Sequence, residues 1–117
     1  GAYMKDPSDP QWKDDQTYKD WLAFMQKYMP GADLSDINNV YGYCAAQTGA
    51  QVFKQCGQDM SRETIQRQAA PLALQLPMFQ AGIRFHTTAT DYLGIKRMRL
   101  QRFNGKAWVP FGEPIAA

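Results

Sequence analysis

The chain has 117 residues, 44% of them hydrophobic, which suits one modest core and at most one domain. No run approaches the ~20 apolar residues of a membrane span, and no charged-then-apolar leader opens the sequence. The net charge of +2 is unevenly spread: residues 1–60 hold five Lys and eight Asp for −3, whereas residues 61–117 hold eight Lys or Arg against three acids for +5, a split that points to two different neighbours.

The chain begins Gly1-Ala2-Tyr3-Met4 rather than at an initiator Met, so a processed, truncated or tagged start is expected. Asp6-Pro7-Ser8-Asp9-Pro10 is rich in turn formers, because each proline fixes its own φ and biases the residue before it away from helix. A helix over 14–29 follows. Its Tyr18, Trp21, Leu22, Met25, Tyr28 and Met29 recur at helical spacing, Asp14 and Asp15 suit its positive end, and Pro30-Gly31 stops it.

A second, long helix is predicted over 38–56, with Ser35, Asp36 or Asn38 as candidate caps and Gly57 as its end. Small residues Gly42, Ala45, Ala46, Gly49 and Ala50 recur along it, with Gln47, Gln51, Lys54 and Gln55 on the opposite side. That pattern predicts close packing of the small face against a sheet or another helix. A third helix over 61–70 is announced by Ser61 as cap, Glu63 in the first turn and Met60 with Ile65 at staple spacing, and Pro71 closes it.

Leu72 to Phe79 is apolar but punctuated, which reads as a covered, irregular connector. Periodicity then changes to strand. Strands are predicted over 82–87, 95–103 and 106–111, with Asn104-Gly105 as a two-residue hairpin loop that sets Leu100 opposite Val109 and Met98 opposite Phe111. That apolar face is meant for a core. Pro110 cannot donate to a ladder, so the second arm should be an edge strand or leave the sheet early.

Chemistry-bearing residues are sparse. Cys44 and Cys56 lie twelve apart on one predicted helix, roughly 18 Å, too far for a disulfide, and both read as buried free thiols. His86 has no His, Cys or acid at ligand spacing, so no metal site is expected, and Cys44 has no base other than His86 to make it a nucleophile. Asp6, Asp9, Asp14 and Asp15 read as turn formers and first-turn acids. No phosphate-binding glycine loop is present, so neither a catalytic residue nor a cofactor is expected.

Arg84, Lys96, Arg97, Arg99, Arg102 and Lys106 accompany Phe85, Phe103 and Trp108, the mixture that single-stranded nucleic-acid binders use. Strand alternation scatters these cations over both faces, so a charged outer sheet face is expected instead, with a nucleic-acid-binding ribbon as the alternative. The best ligand candidates are Asn38, Asn39 and Tyr41 at the head of the second helix. Amides and a phenol there suit the polar and apolar parts of a small solute, while capping and packing would employ the same residues structurally.

Tyr41-Gly42-Tyr43 running into Ala-Ala-Gln-Thr, then Lys-Gln-Cys-Gly and Ser-Arg-Glu-Thr, resembles the C-terminal part of type I periplasmic solute-binding proteins of ABC transporters, of the branched-chain amino acid receptor type. The resemblance spans nearly the whole chain, from Lys5-Asp6-Pro7 to the ribbon 102–109. It implies a fragment of a bilobed α/β protein, with three helices (1–80) on the first lobe and a crossover strand and C-terminal hairpin (81–117) returning to the second. A small solute, such as an amino acid, an amide or an aromatic acid, would bind in the interlobe cleft near Asn38, delivered to a membrane permease from a periplasmic or extracellular location. Three helices and a ribbon lack the sheet on which they should lie. Missing chain or a second copy should therefore cover the apolar faces, and the isolated chain is expected to form a dimer or higher oligomer, with ribbon exchange as one route.

Overall fold

Every helix starts on an oxygen-bearing side chain that satisfies one of its free amides. Asp15 accepts from the Tyr18 amide to open α1 (Gln16–Tyr28), Asp36 from the Asn38 amide to open α2 (Ile37–Cys56), and Ser61 from the Thr64 amide to open α3 (Arg62–Ala69). Asp9 does the same for a 3₁₀ turn over Pro10–Trp12, so Asp9 and Asp15 serve as caps. The computed structural model describes residues 2–116. Besides the helices these form β1 (Ala73–Leu74), β2 (Phe85–His86), β3 (Arg97–Phe103) and β4 (Trp108–Ala116). β1 pairs with β2 and β3 with β4, both antiparallel, so the fold mixes three helices with two small antiparallel sheets.

The main core gathers Trp21 and Met25 of α1, Val40 and Cys44 of α2, and Leu76, Met78, Phe79 and Ile83 of the connector. A second cluster, Val52, Cys56 and Leu72, lies at the far end of α2 against Ile65 of α3. The connector is thus covered, as its composition implies, and it adds the short strand β1 that the sequence does not announce.

Residues 2–5 hold these parts together. Ala2 and Arg99 exchange both backbone hydrogen bonds at 2.7 Å, the Lys5 amide donates to the Met78 carbonyl at 2.8 Å, and the Gln80 amide donates to the Tyr3 carbonyl at 2.8 Å. Gln80, 0% exposed, also gives its side-chain Nε2 to the Met4 carbonyl at 2.9 Å. Buried Lys5 donates to both Asp15 oxygens (2.9 and 3.0 Å) and to the Thr17 hydroxyl (2.6 Å), which ties the same segment to the start of α1.

The structure corrects several expectations. The strand predicted over 82–87 shrinks to Phe85–His86, because Gly82 at φ +79° and the Ile83 amide bonded to the Gln80 carbonyl make a turn first. The hairpin loop has four residues, not two. Asn104 Oδ1 accepts from the amides of Lys106 and Ala107, so Phe103 pairs with Trp108 and Leu100 with Phe111 instead of Val109. Met98 consequently pairs with Ile115, across a bulge containing Gly112, whose φ of +69° is costly for any residue with a Cβ. β4 also runs on to Ala116, beyond the predicted end at 111, with Pro110 and Pro114 in this edge strand.

The largest reversal concerns α2. It buries Val40, Cys44, Val52 and Cys56, while Gly42, Ala45, Ala46 and Ala50 are exposed and a Cβ added at Gly42 or Gly49 would meet nothing within 4 Å. The small-residue face therefore packs against nothing in this chain. The ribbon face expected to join a core is partly open: Leu100 and Phe111 are 47% and 44% exposed, while Met98 and Val109 are half-buried. Accessible surface totals 7624 Å², against roughly 6,500 Å² for a compact monomer of this mass.

Two stability predictions follow from this arrangement. Ile83→Ala should cost about 2–5 kcal/mol in denaturant melts and Leu100→Ala well under 1 kcal/mol, because only the first empties a filled site. Burial alone would raise the Asp15 carboxyl, but the Thr17 hydroxyl, the Lys5 ammonium and the Tyr18 amide together lower it from 3.8 to about 2. A carboxyl with a depressed folded pKa stabilises above its unfolded value and loses that contribution as pH falls through the folded one. About 1–2 kcal/mol should therefore disappear between pH 4 and 2, and Asp15→Asn, which still caps α1, should flatten that part of the stability profile.

Candidate functional site

The head of α2, where the sequence places Asn38, Asn39 and Tyr41, divides into two environments. Asn38 is exposed, and its amide is used by the Asp36 cap. Asn39 is half-buried and donates its side-chain Nδ2 to the Asp33 carbonyl at 2.7 Å, fixing the loop that leads into the helix. Asn39's side chain therefore does structural work at the loop, whereas Asn38 lends only its backbone amide and keeps its side chain exposed. Tyr41, one turn further on, is 57% exposed and forms part of the wall of a cleft of about 360 Å³.

That cleft lies between α2, the N-terminal segment and β2. Tyr3 and Met4 supply one wall, Tyr41, Cys44 and Thr48 the helical wall, and Phe85 closes it from the sheet. Helical spacing explains Tyr41, Cys44 and Thr48, since i, i+3 and i+7 share a face. Phe85 is held in place by Gly94: a Cβ at Gly94 would come within 2.3 Å of the Phe85 ring, so only glycine allows that approach.

Polar groups in this cleft are few and uncharged. The Thr48 hydroxyl donates back to the Cys44 carbonyl at 2.9 Å. Burial raises the Tyr3 phenol, and its nearness to Tyr41 and Cys44 raises it further. Burial alone pushes the Cys44 thiol up to about 11. At neutral pH the cleft therefore presents phenols, a thiol and hydrocarbon. It can enclose an apolar or aromatic group and offer hydroxyls to a polar one, but it brings no cation to a carboxylate.

Sequence reasoning finds Tyr41 here and misses Tyr3, Thr48 and Phe85. Tyr3 belongs to a segment too short to show periodicity, and Phe85 reaches the cleft through chain reversals far from α2. His86 is exposed on β2, and among the described residues no group of three His, Cys, Asp or Glu is arranged to hold a metal ion. Among the described residues, no helix is long and apolar enough to cross a membrane.

The basic ribbon separates its cations as the alternation implies. Arg102 lies over the Phe111 ring at 5.4 Å on one face, whereas Phe103 and Trp108, with centroids 5.4 Å apart, stand on the other. No protein-family model matches the chain, and neither a curated protein nor a solved structure is significantly similar to it.

Cys44 offers a direct check on the cleft. With its thiol at about 11, roughly one molecule in a thousand carries the thiolate at pH 8, and the sulfur is buried. Iodoacetamide at pH 8 should alkylate Cys44 at least a hundredfold more slowly in the native protein than in urea, followed by mass spectrometry of the peptide. Rapid native alkylation would mean that the cleft wall opens.

Proposed function

We propose that this chain is part of the solute-binding component of an ABC importer, a non-catalytic protein of the periplasm or cell exterior that hands a small solute to a membrane permease. The resemblance described above motivates the reading. The observation that carries it is the open small-residue face of α2: a twenty-residue helix lined with Gly42, Ala45, Ala46 and Gly49 suits close approach by another layer, and nothing in the chain takes that place. In the bilobed architecture the missing layer is the sheet of the first lobe, and the open face of the ribbon would meet the second.

The surface excess has the right size. Roughly 1,100 Å² beyond a compact monomer exceeds the ~800 Å² that one partner contributes to an ordinary protein interface. Upstream chain is the reading's covering layer, and a second copy would serve the isolated chain as a substitute.

Tyr41 and its cleft are the part of the ligand site that this chain would contribute. Its uncharged lining fits the body of an apolar or aromatic solute, and the groups that grip amino and carboxylate ends would come from upstream. Asn39 would shape the loop, and the exposed Asn38 side chain would stand open to the solute. The competing reading, a single-stranded nucleic-acid module, draws on the exposed Phe103 and Trp108 pair of the ribbon.

Two measurements test the proposal. Gly49→Ala should raise the melting temperature of this chain, corresponding to about 0.5–1 kcal/mol, because the helix gains propensity and the new methyl meets nothing. In the longer polypeptide that the resemblance implies, the same change should destabilise, since the face would be packed there. Stabilisation in both would remove the covering layer from the account. A thermal-shift screen of the longer polypeptide with amino acids, amides and aromatic acids should give at least one saturable shift that Tyr41→Ala weakens. No shift with any of them, together with salt-sensitive binding of single-stranded DNA, would favour the nucleic-acid reading.

A further inference from the structure

β2 has two unlike surfaces. Phe85 meets Ile95 across an antiparallel bridge, the His86 amide donates to the Gly94 carbonyl at 2.9 Å beside it, and both Phe85 and Ile95 border the Tyr41 cleft. Side chains alternate along extended chain, so Arg84, His86 and Lys96, the neighbours of that bridged pair, point to the other side. A small cleft of about 190 Å³ is bordered by Gly82, Arg84, His86, Lys96 and Arg97.

The bridge register sets Arg84 directly opposite Lys96, where Cβ atoms on one face stand roughly 5 Å apart. Like charges so placed repel each other. Asp91 neutralises one of them through Lys96 Nζ at 2.6 Å, while Arg84 and Arg97 enter none of the ion pairs among the described residues. The cleft therefore carries two uncompensated guanidinium charges, and His86 adds an N–H in either protonation state. Arg84, His86 and Arg97 are exposed and Lys96 is half-buried, so these groups are open to a solute.

Size and charge narrow the ligand. The space is smaller than the ~300 Å³ at which pockets begin to enclose a drug-sized molecule, which suits an anionic head group. A carboxylate would neutralise one charge and offer two oxygens. A phosphoryl dianion answers both guanidinium groups and has an oxygen left for Lys96 or His86.

We infer that this cleft binds a phosphoryl dianion, either inorganic phosphate or the terminal group of a small phosphate monoester. Arg84 and Arg97 bond its oxygens, and its charge relieves the repulsion between Arg84 and Lys96. A nucleic-acid backbone fits less well, because each phosphodiester carries a single charge. The site lies across β2 from the Tyr41 cleft, whose lining contains no charged residue, and it can succeed or fail whatever the importer reading does.

Isothermal titration near pH 8 and at fixed ionic strength, with inorganic phosphate, phenyl phosphate, acetate and an oligothymidylate, tests it. At least one of the two phosphates should bind saturably, and acetate at least tenfold more weakly; tighter binding of phenyl phosphate would assign a monoester, and equal or tighter binding of inorganic phosphate the free ion. Arg84→Gln and Arg97→Gln should each weaken that binding at least tenfold, and Arg84→Lys several-fold, since lysine keeps the charge but loses the fork. Lys106→Gln, in the exposed hairpin loop, should leave it unchanged. Without phosphate, Arg84→Gln should melt no lower than the unaltered protein, because it removes a like-charge contact at an exposed position. A lower melting temperature there would mean that the guanidinium has an internal partner, and would overturn the inference. So would the absence of saturable phosphate binding, equal binding of acetate, or unaltered affinity in folded Arg84→Gln and Arg97→Gln proteins. Oligothymidylate that binds more tightly than either phosphate, and is weakened by the same substitutions, would give these cations to a polymer and overturn the small-anion site.

Discussion

The fold depends on the backbone hydrogen bonds made by residues 2–5. The helical layer, the connector and the ribbon each bond to that segment: β3 through Arg99, the connector through Met78 and Gln80, and α1 through Asp15. Gln80 is the least replaceable partner, since its amide and side chain both reach the segment from a fully buried position. Buried backbone groups need partners, and without these the Tyr3 and Met4 carbonyls would be left unpaired at the edge of the core. The Tyr41 cleft flanks this segment, with Tyr3 and Met4 in its wall. The site geometry is therefore a consequence of the strap rather than of any helix alone.

The sequence makes some of this legible. Helix existence, the Ser61 start of α3 and the free, buried state of Cys44 and Cys56 are readable because caps and 3.6-residue periodicity are local signals. Asp36, by contrast, is one of three caps that the sequence offers for α2, and Asp15, read as a first-turn acid, caps α1 instead. The hairpin is visible at Asn104-Gly105, but its register is not, because a side chain that accepts two amides converts an apparent two-residue loop into four. The strap itself is invisible. Four residues carry no period, and their backbone partners lie more than seventy positions away. The candidate site suffers for the same reason: Tyr41 is readable from its helix, whereas Tyr3 and Phe85 join it only through long-range pairing.

The misreading of α2 is informative. Small residues mark a face built for close approach, and the sequence identifies that face without identifying what occupies it. In this chain the buried stripe is the one carrying Val40, Cys44, Val52 and Cys56, because the connector and α3 lie on that side. The small-residue face and part of the apolar ribbon face remain in solvent, and a chain that leaves both open has surface suited to another layer. This links the packing to the importer reading through one physical quantity, uncovered area, and leaves the chemistry of the clefts as a separate question.

Amide hydrogen exchange measures the strap most directly. If residues 2–5 unite the parts, the amides of Lys5, Gln80 and Arg99 should exchange only through the opening that also releases Met25 and Cys44 in the core, with matching protection. Exchange of those three amides at the rate of an unstructured chain, while the amides of α1 and α2 stay protected, would show that the helical layer is stable without the strap and would contradict the account.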